Sequence, residues 1–393
     1  MDSKTDDSSR ISSLGDWNSL LVGGFIGALI GALIVGLIAG MANPLIDSGL
    51  SDTRLIQQLE QARTILTAWD VLALPVLGLI VLGTHEIGHV LGGLSQGMRF
   101  LMLIVGPFGW HATTAGTRFQ WNTNLGLMGG LAATLPTHFG DSLRRQLLVM
   151  IAGGPLFSLL LAISATALAT LSDPRLAAYC TFIGATSFGI FLVTLMPLRT
   201  SGFMSDGMQL MDVLKGGRAS LERHAQLQIL AQSLDGIRPR NWDSWAIDEL
   251  SRADSTDPPS HTGSWMLLLA RAMDCRHTAE IARYQALLEK SVAGYPASFR
   301  QSIHVELAIC AWLAGDIDAV RKHLKSSQGG IVEESRRLLA KAALARLEGR
   351  DADCKRDRLL AIKALANASD AGQSKLTQDQ LAMLELRIRD ERT

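Results

Sequence analysis

Four stretches of this 393-residue chain are apolar for long enough to cross a lipid bilayer, and nothing else in it restricts the fold as strongly. In hydrocarbon every backbone N–H and C=O must be satisfied internally, which leaves helices and closed barrels as spanning structures. A spanning helix takes ~20 predominantly apolar residues. The runs expected to cross cover about 20–40, 71–91, 146–171 and 177–197. A hydrophobic share of 48%, a charged share of 19% and a mean hydropathy of +0.20 agree with this.

Between the second and third runs lies a segment that cannot span. Arg99–Trp110 is apolar but too short to cross, is rich in strand-forming residues and is broken by Gly106-Pro107. It reads as a β-hairpin over 98–121 at the membrane surface, and Asn124–Pro136 reads as a short re-entrant piece. From about Leu214 the chain turns charged and helical. The expected fold class is an all-α polytopic membrane protein with about four transmembrane helices, a small membrane-associated β-hairpin and a soluble α-helical repeat domain. The expected divisions are a cytoplasmic tail over 1–19, a membrane domain over 20–214 and a cytoplasmic helical domain over 215–393.

Charge sets the orientation. Lys4, Arg10, Arg99, Arg118, Arg144, Arg145, Arg199, Lys215 and Arg218 fall on one side of a four-span arrangement, and Arg54, Arg63 and Arg175 on the other. The richer side is expected to be cytoplasmic, which puts both termini inside. The two signs balance at 37 each, so no global field argues for nucleic acid. Cys180, Cys275, Cys310 and Cys354 show no C-x-x-C spacing and read as core residues of a reducing compartment. The first seventeen residues are too acidic for a signal peptide. Gly23, Gly27 and Gly31 form a G-x-x-x-G ladder in the first run, suited to close packing within the bundle or to a homodimer.

At the end of the second run stands His85-Glu86-Ile87-Gly88-His89. H-E-x-x-H on a helix puts two imidazoles on one face, where both reach one Zn²⁺, with a Glu between them as general base. Ionisable groups inside a span are costly and mark function. A catalytic zinc wants a third protein ligand. His111, His138 and Asp206 are the candidates. The charge rule brings Asp206 to the depth of the histidines, and Gly207 permits a tight turn beside it, although Asp206 also suits the N-cap of a helix from about Met208.

The layout resembles the site-2 protease family of intramembrane zinc metalloproteases. The likeness rests on His85–His89 with Gly97, Gly106-Pro107-Phe108, Ala152-Gly153-Gly154-Pro155, and Pro197 through Ser205-Asp206-Gly207. It covers about Val71–Leu214. The resemblance implies one zinc per chain held by His85, His89 and Asp206, with Glu86 as the base. It also implies substrate contacts from Gly106, Pro107, Thr194 and Pro197, and a hairpin that holds an extended substrate. This chain departs from the family at Thr194 and Ser158, where asparagine is usual, and at Ser205, where leucine is.

The expected reaction is hydrolysis of a peptide bond in or near a transmembrane segment of a membrane-protein substrate. A spanning helix must first unwind, and pairing with the hairpin edge along Phe100–Val105 would satisfy its freed backbone. The C-terminal part carries one echo: Leu313-Ala314-Gly315-Asp316 recurs as Leu347-Glu348-Gly349-Arg350, 34 residues on. That period is the tetratricopeptide one. A third unit is expected near Trp265–Lys290. Such a domain offers a groove for a protein partner. The competing reading is a membrane-anchored helical-repeat adaptor with a structural or inactive metal site. The expected location is a bacterial inner or plasma membrane, crossed several times.

Overall fold

The computed structural model describes residues 54–390 apart from 114–115, 125–126, 141, 201–202, 254–257, 296 and 331. The expected first span, its glycine ladder (Gly23, Gly27, Gly31) and the tail 1–19 therefore lie outside the described residues. After a short helix, α1 (Arg54–Ile65), come three helices long and apolar enough to cross a membrane: α2 (Leu74–Ser95), α3 (Leu143–Ala169) and α4 (Pro174–Leu195). Their ends differ from the expected runs by two to four residues, for local reasons. Pro174 occupies the first turn of α4, and the Asp173 carboxylate accepts from the N–H groups of Arg175 and Leu176. The N-terminus is thereby fixed ahead of the apolar run.

The three helices pack closely through small residues. A Cβ built on Gly88 of α2 would lie 2.4 Å from the Gly153 carbonyl oxygen of α3, and one on Gly153 would lie 2.2 Å from that of Gly88. Either side chain would force the backbones apart.

Between α2 and α3 the chain forms an antiparallel sheet of β1 (Arg99–Val105), β2 (Phe108–Thr113), β3 (Gly116–Trp121) and β4 (Leu131–Leu135), ordered β3-β2-β1-β4. The expected hairpin is its first three strands. The expected re-entrant piece is corrected: its second half is β4, because pairing Leu131 with Ile104 through to Leu135 with Arg99 satisfies its backbone without a helix. A second correction follows. β1 is internal, paired on both sides over Met102–Ile104, so that stretch has no open edge for another chain.

After α4 a two-stranded turn, β5 (Arg199–Thr200) with β6 (Phe203–Met204), leads into α5 (Asp206–Lys215) and α6 (Arg218–Leu234). Met98, Leu143, Leu147, Ile151 and Val213 form a buried cluster against which Leu210 of α5 and Leu227 of α6 pack. Beyond lie α7 (Ser244–Ser251), α8 (Pro258–Cys275), α9 (Thr278–Ser291), α10 (Ala297–Ala314), α11 (Ile317–Ser326), α12 (Glu334–Leu347), α13 (Asp351–Leu365) and α14 (Ala371–Asp390). They share one apolar core that includes Trp265, Leu307, Trp312 and Leu339. A single turn type recurs in it. Gly315 N–H donates to Trp312 and Asp316 N–H to Ala311, while Gly349 N–H donates to Arg346 and Arg350 N–H to Ala345. The same pair of bonds runs from Arg276 to Met273 and from His277 to Ala272.

Candidate metal centre

α2 carries His85 and His89 one turn apart on one face, with ring centroids 4.9 Å apart and Nε2 atoms 3.3 Å apart. α5 begins with Asp206, whose Oδ2 lies 3.3 Å from His85 Nε2 and whose Oδ1 lies 3.5 Å from His89 Nε2. All three ligand atoms fall within 4.8 Å of one another, and no other such cluster occurs among the described residues. The cluster is buried, with His85 at 5% and Asp206 at 9% exposure.

The neighbours of these side chains explain the pose. His89 Nδ1–H donates to the Met150 carbonyl at 3.0 Å, and His85 Nδ1 lies 2.9 Å from Ser158 Oγ. A neutral ring that donates at Nδ1 keeps its Nε2 lone pair for the cluster. A Cβ on Gly154 would stand 2.3 Å from His89 Nε2, so this glycine makes room for the ring. The first helical turn of α5 is capped by Ser205, whose Oγ accepts from Met208 N–H at 3.2 Å. The capping role weighed for Asp206 belongs to its neighbour, which leaves the Asp206 carboxylate free. Gly207 is forced by contact rather than by turning, since its Cβ would sit 1.9 Å from the Leu195 carbonyl oxygen.

Glu86 is 7% exposed and makes no hydrogen bond to any described residue. Gly130, at φ +97°, sits directly against it, where a Cβ would come within 2.4 Å of Oε1. Gly130 leads into β4, and Thr134 of β4 packs on Gly93 of α2, so one edge of the sheet runs along the face bearing Glu86. Sequence reasoning missed this strand. The available signal was Gly129-Gly130 followed by Leu-Ala-Ala-Thr-Leu.

The remaining candidates lie elsewhere. His111 sits in β2 between Met102 and Arg118, and His138 bonds Thr137, so neither joins the cluster. Gly106 and Pro107 form the β1–β2 turn, where Gly106 abuts Leu79 of α2. The Thr194 hydroxyl bonds back to Phe191 within α4, and Pro197 follows the end of that helix.

The donor set suits zinc. Two imidazole nitrogens and one carboxylate are the three protein ligands of a catalytic site that keeps a fourth position open. Asp206 Oδ2 is buried without a hydrogen-bond partner, an orphaned acceptor of the kind a cation satisfies. Two histidines, a third ligand from a distant helix and an unpaired glutamate between them define the H-E-x-x-H metallopeptidases as a class. The sequence profile of peptidase family M50 matches residues 72–350, more than half of the chain, and the chain belongs to that family. No match was found among curated proteins or among solved structures. Membership makes the chain a metallopeptidase of the site-2 type, a membrane protein in a family that generally uses zinc and acts on membrane proteins.

Proposed function

We propose that this chain is an intramembrane zinc metallopeptidase that hydrolyses a peptide bond in or near a transmembrane segment of another membrane protein. The observation that carries the reading is the buried Glu86 carboxylate, without a hydrogen-bond partner, next to three converging ligand atoms. His85, His89 and Asp206 would hold the metal. Zinc bound there supplies a Lewis acid for the scissile carbonyl and lowers the pKa of a water to about 7. Glu86 accepts the proton of the attacking water and returns it to the leaving amine nitrogen. Ser158 and Met150 keep the two imidazoles turned toward the cluster.

Substrate is presented by β4 rather than by β1. An unwound segment needs partners for its freed N–H and C=O groups, and an edge strand offers a row of them. Among the described residues the outer strands of the sheet, β3 and β4, have open edges, and it is β4 that starts beside Glu86. Gly106, Pro107, Thr194 and Pro197 would then act at a remove, by shaping the β1–β2 turn and the exit of α4.

The excess of Lys and Arg at the end of the bundle where α3 begins and α4 ends supports a cytoplasmic position for that end and for the helices that follow it. A division near 214–215 is supported by two apolar clusters, one joining α3 to α5 and one running through α6–α14, with α6 touching both through Leu227 and Ile229. The helix-end turn at Arg276, Gly315 and Gly349 also closes α2 at Gly97 and α6 at Gly236. It is therefore the 34-residue spacing of Gly315 and Gly349 that supports a tetratricopeptide-like reading of that second part, as a surface that recruits substrate or regulator.

Membrane proteomics of cells expressing wild type or Glu86→Gln tests the peptidase reading. General-base loss should slow processing by at least about a hundredfold. The purified variant should still carry one zinc per chain. Full processing by a zinc-loaded Glu86→Gln protein would sink the proposal.

A further inference from the structure

A cavity of about 280 Å³ opens between the start of α3 and the junction of α5 with α6. Its wall includes Arg144, Lys215, Gly216, Ser220 and His224, and among the described residues it holds no carboxylate. Three arginines nearby are matched by carboxylates: Arg199 by Asp212, Arg218 by Glu249 and Arg99 by Asp235. Among the described residues Lys215 has no ion pair, and Arg144 donates to the Leu214 carbonyl at 2.7 Å without a carboxylate partner. His224 packs against the Phe139 and Trp245 rings and has no hydrogen bond to any described residue. Burial holds its pKa below the ordinary value, so near neutral pH it carries a single N–H to offer.

The backbone adds to this set. Gly216 and Gly217 have φ +68° and +84° with ψ −148° and −162°, a region open essentially to glycine alone. Their Cβ positions face open space, so no steric crowding explains them. This turn starts the seventeen-residue helix α6 without any side-chain cap, and its first N–H groups stay available beside Ser220. Uncapped N–H groups at a helix start attract anions.

We infer that this cavity binds a phosphate-type anion, held by Arg144, Lys215, Ser220 and His224 at the start of α6. Two sources share that chemistry: the headgroup phosphate of an anionic lipid, and free phosphate. The position favours the lipid. Gly92 near the end of α2 abuts the Val149 carbonyl of α3, so the cavity sits at the level where both helices leave their apolar stretches. The inference does not rest on the peptidase reading, because none of its residues belongs to the metal cluster. It does touch the same helix, since α5 runs from Asp206 at the cluster to Lys215 at the cavity.

The test is thermal unfolding of the full-length protein in neutral detergent, titrated with phosphatidylglycerol, with phosphatidylcholine or with inorganic phosphate. Phosphatidylglycerol should raise Tm and phosphatidylcholine should not. A matching response to inorganic phosphate shows that the anion alone suffices, and a response to phosphatidylglycerol only assigns the site to lipid; both support the proposal. Lys215→Gln removes a charge. Ser220→Asp places a carboxylate in the cavity without removing any contact the structure shows. Each should weaken binding by roughly tenfold, the worth of one charged hydrogen bond. They also separate this site from anion binding at the metal, which neither touches. No stabilisation by either anion, or undiminished binding in both variants, would overturn the inference.

Discussion

At the scale of single residues, the centre depends as much on small side chains as on its ligands. Ser158 is fully buried in α3 and holds His85 from behind. Ser158→Ala should lower zinc affinity by ~10–100-fold, as loss of an outer partner of a ligating histidine does. A chelator competition assay would read it, and an unchanged affinity would reduce Ser158 to packing. The ligands differ in how far sequence could reach them. His85, Glu86 and His89 are legible because one helical turn fixes their geometry. Asp206 is legible only in part, since Ser205 and Asp206 are both good capping residues and nothing local says which one caps. The structure decides it through Gly207, whose contact with Leu195 sets the start of α5 and commits Ser205 to the cap.

At the scale of elements, β4 is the piece that sequence concealed. Strands covered on both sides read as short continuous apolar runs, which periodicity cannot separate from other buried segments. Leu131–Leu135 reads the same way though only its last two residues are fully buried; it packs on α2 through Thr134 and is hydrogen-bonded to β1. Its role can be checked by proline at Ala132 and, separately, at Ala133. Successive residues of an edge strand direct their N–H groups alternately inward and outward. One of the two variants should therefore keep the wild-type melting temperature and lose cleavage, while the other loses stability. Proline along β3 should leave cleavage intact. Equal cleavage in both β4 variants would remove β4 from substrate binding. The three long helices were easier, because ~20 apolar residues admit no other structure in lipid. Only their ends moved, where caps such as Asp173 act.

At the scale of the whole molecule, the C-terminal helices carry their own sensitivity to acid. His304 and His323 face each other with Nδ1 atoms 3.1 Å apart. Burial, and then the neighbouring His323, push His304 down to about 4 from an ordinary 6.5. Burial lowers His323 as well. Below pH 6.5 the unfolded chain takes up protons that the folded chain refuses, so stability is complete above that pH and declines toward pH 4. Denaturant unfolding of the full chain between pH 7.5 and 4 should show this slope, and His304→Gln should flatten it. A slope unaltered in the variant would assign the effect to other groups. The helical hairpins were partly legible from the Gly315 and Gly349 echo. The copy of the turn at Arg276 was harder to find, because that residue stands at φ +59°, a conformation sequence patterns assign to glycine.

The placement of Asp206 also has a consequence during synthesis. His85 and His89 enter the membrane more than a hundred residues before the carboxylate that completes their set. At ribosomal speeds of about 5–20 residues per second, that gap lasts on the order of 6–23 s. A nascent chain is thus a two-ligand protein while its later helices are still being threaded. On the proposed function, with Asp206 as the third ligand, hydrolysis begins only when α5 docks, and unfinished chains would not attack the segments being inserted around them.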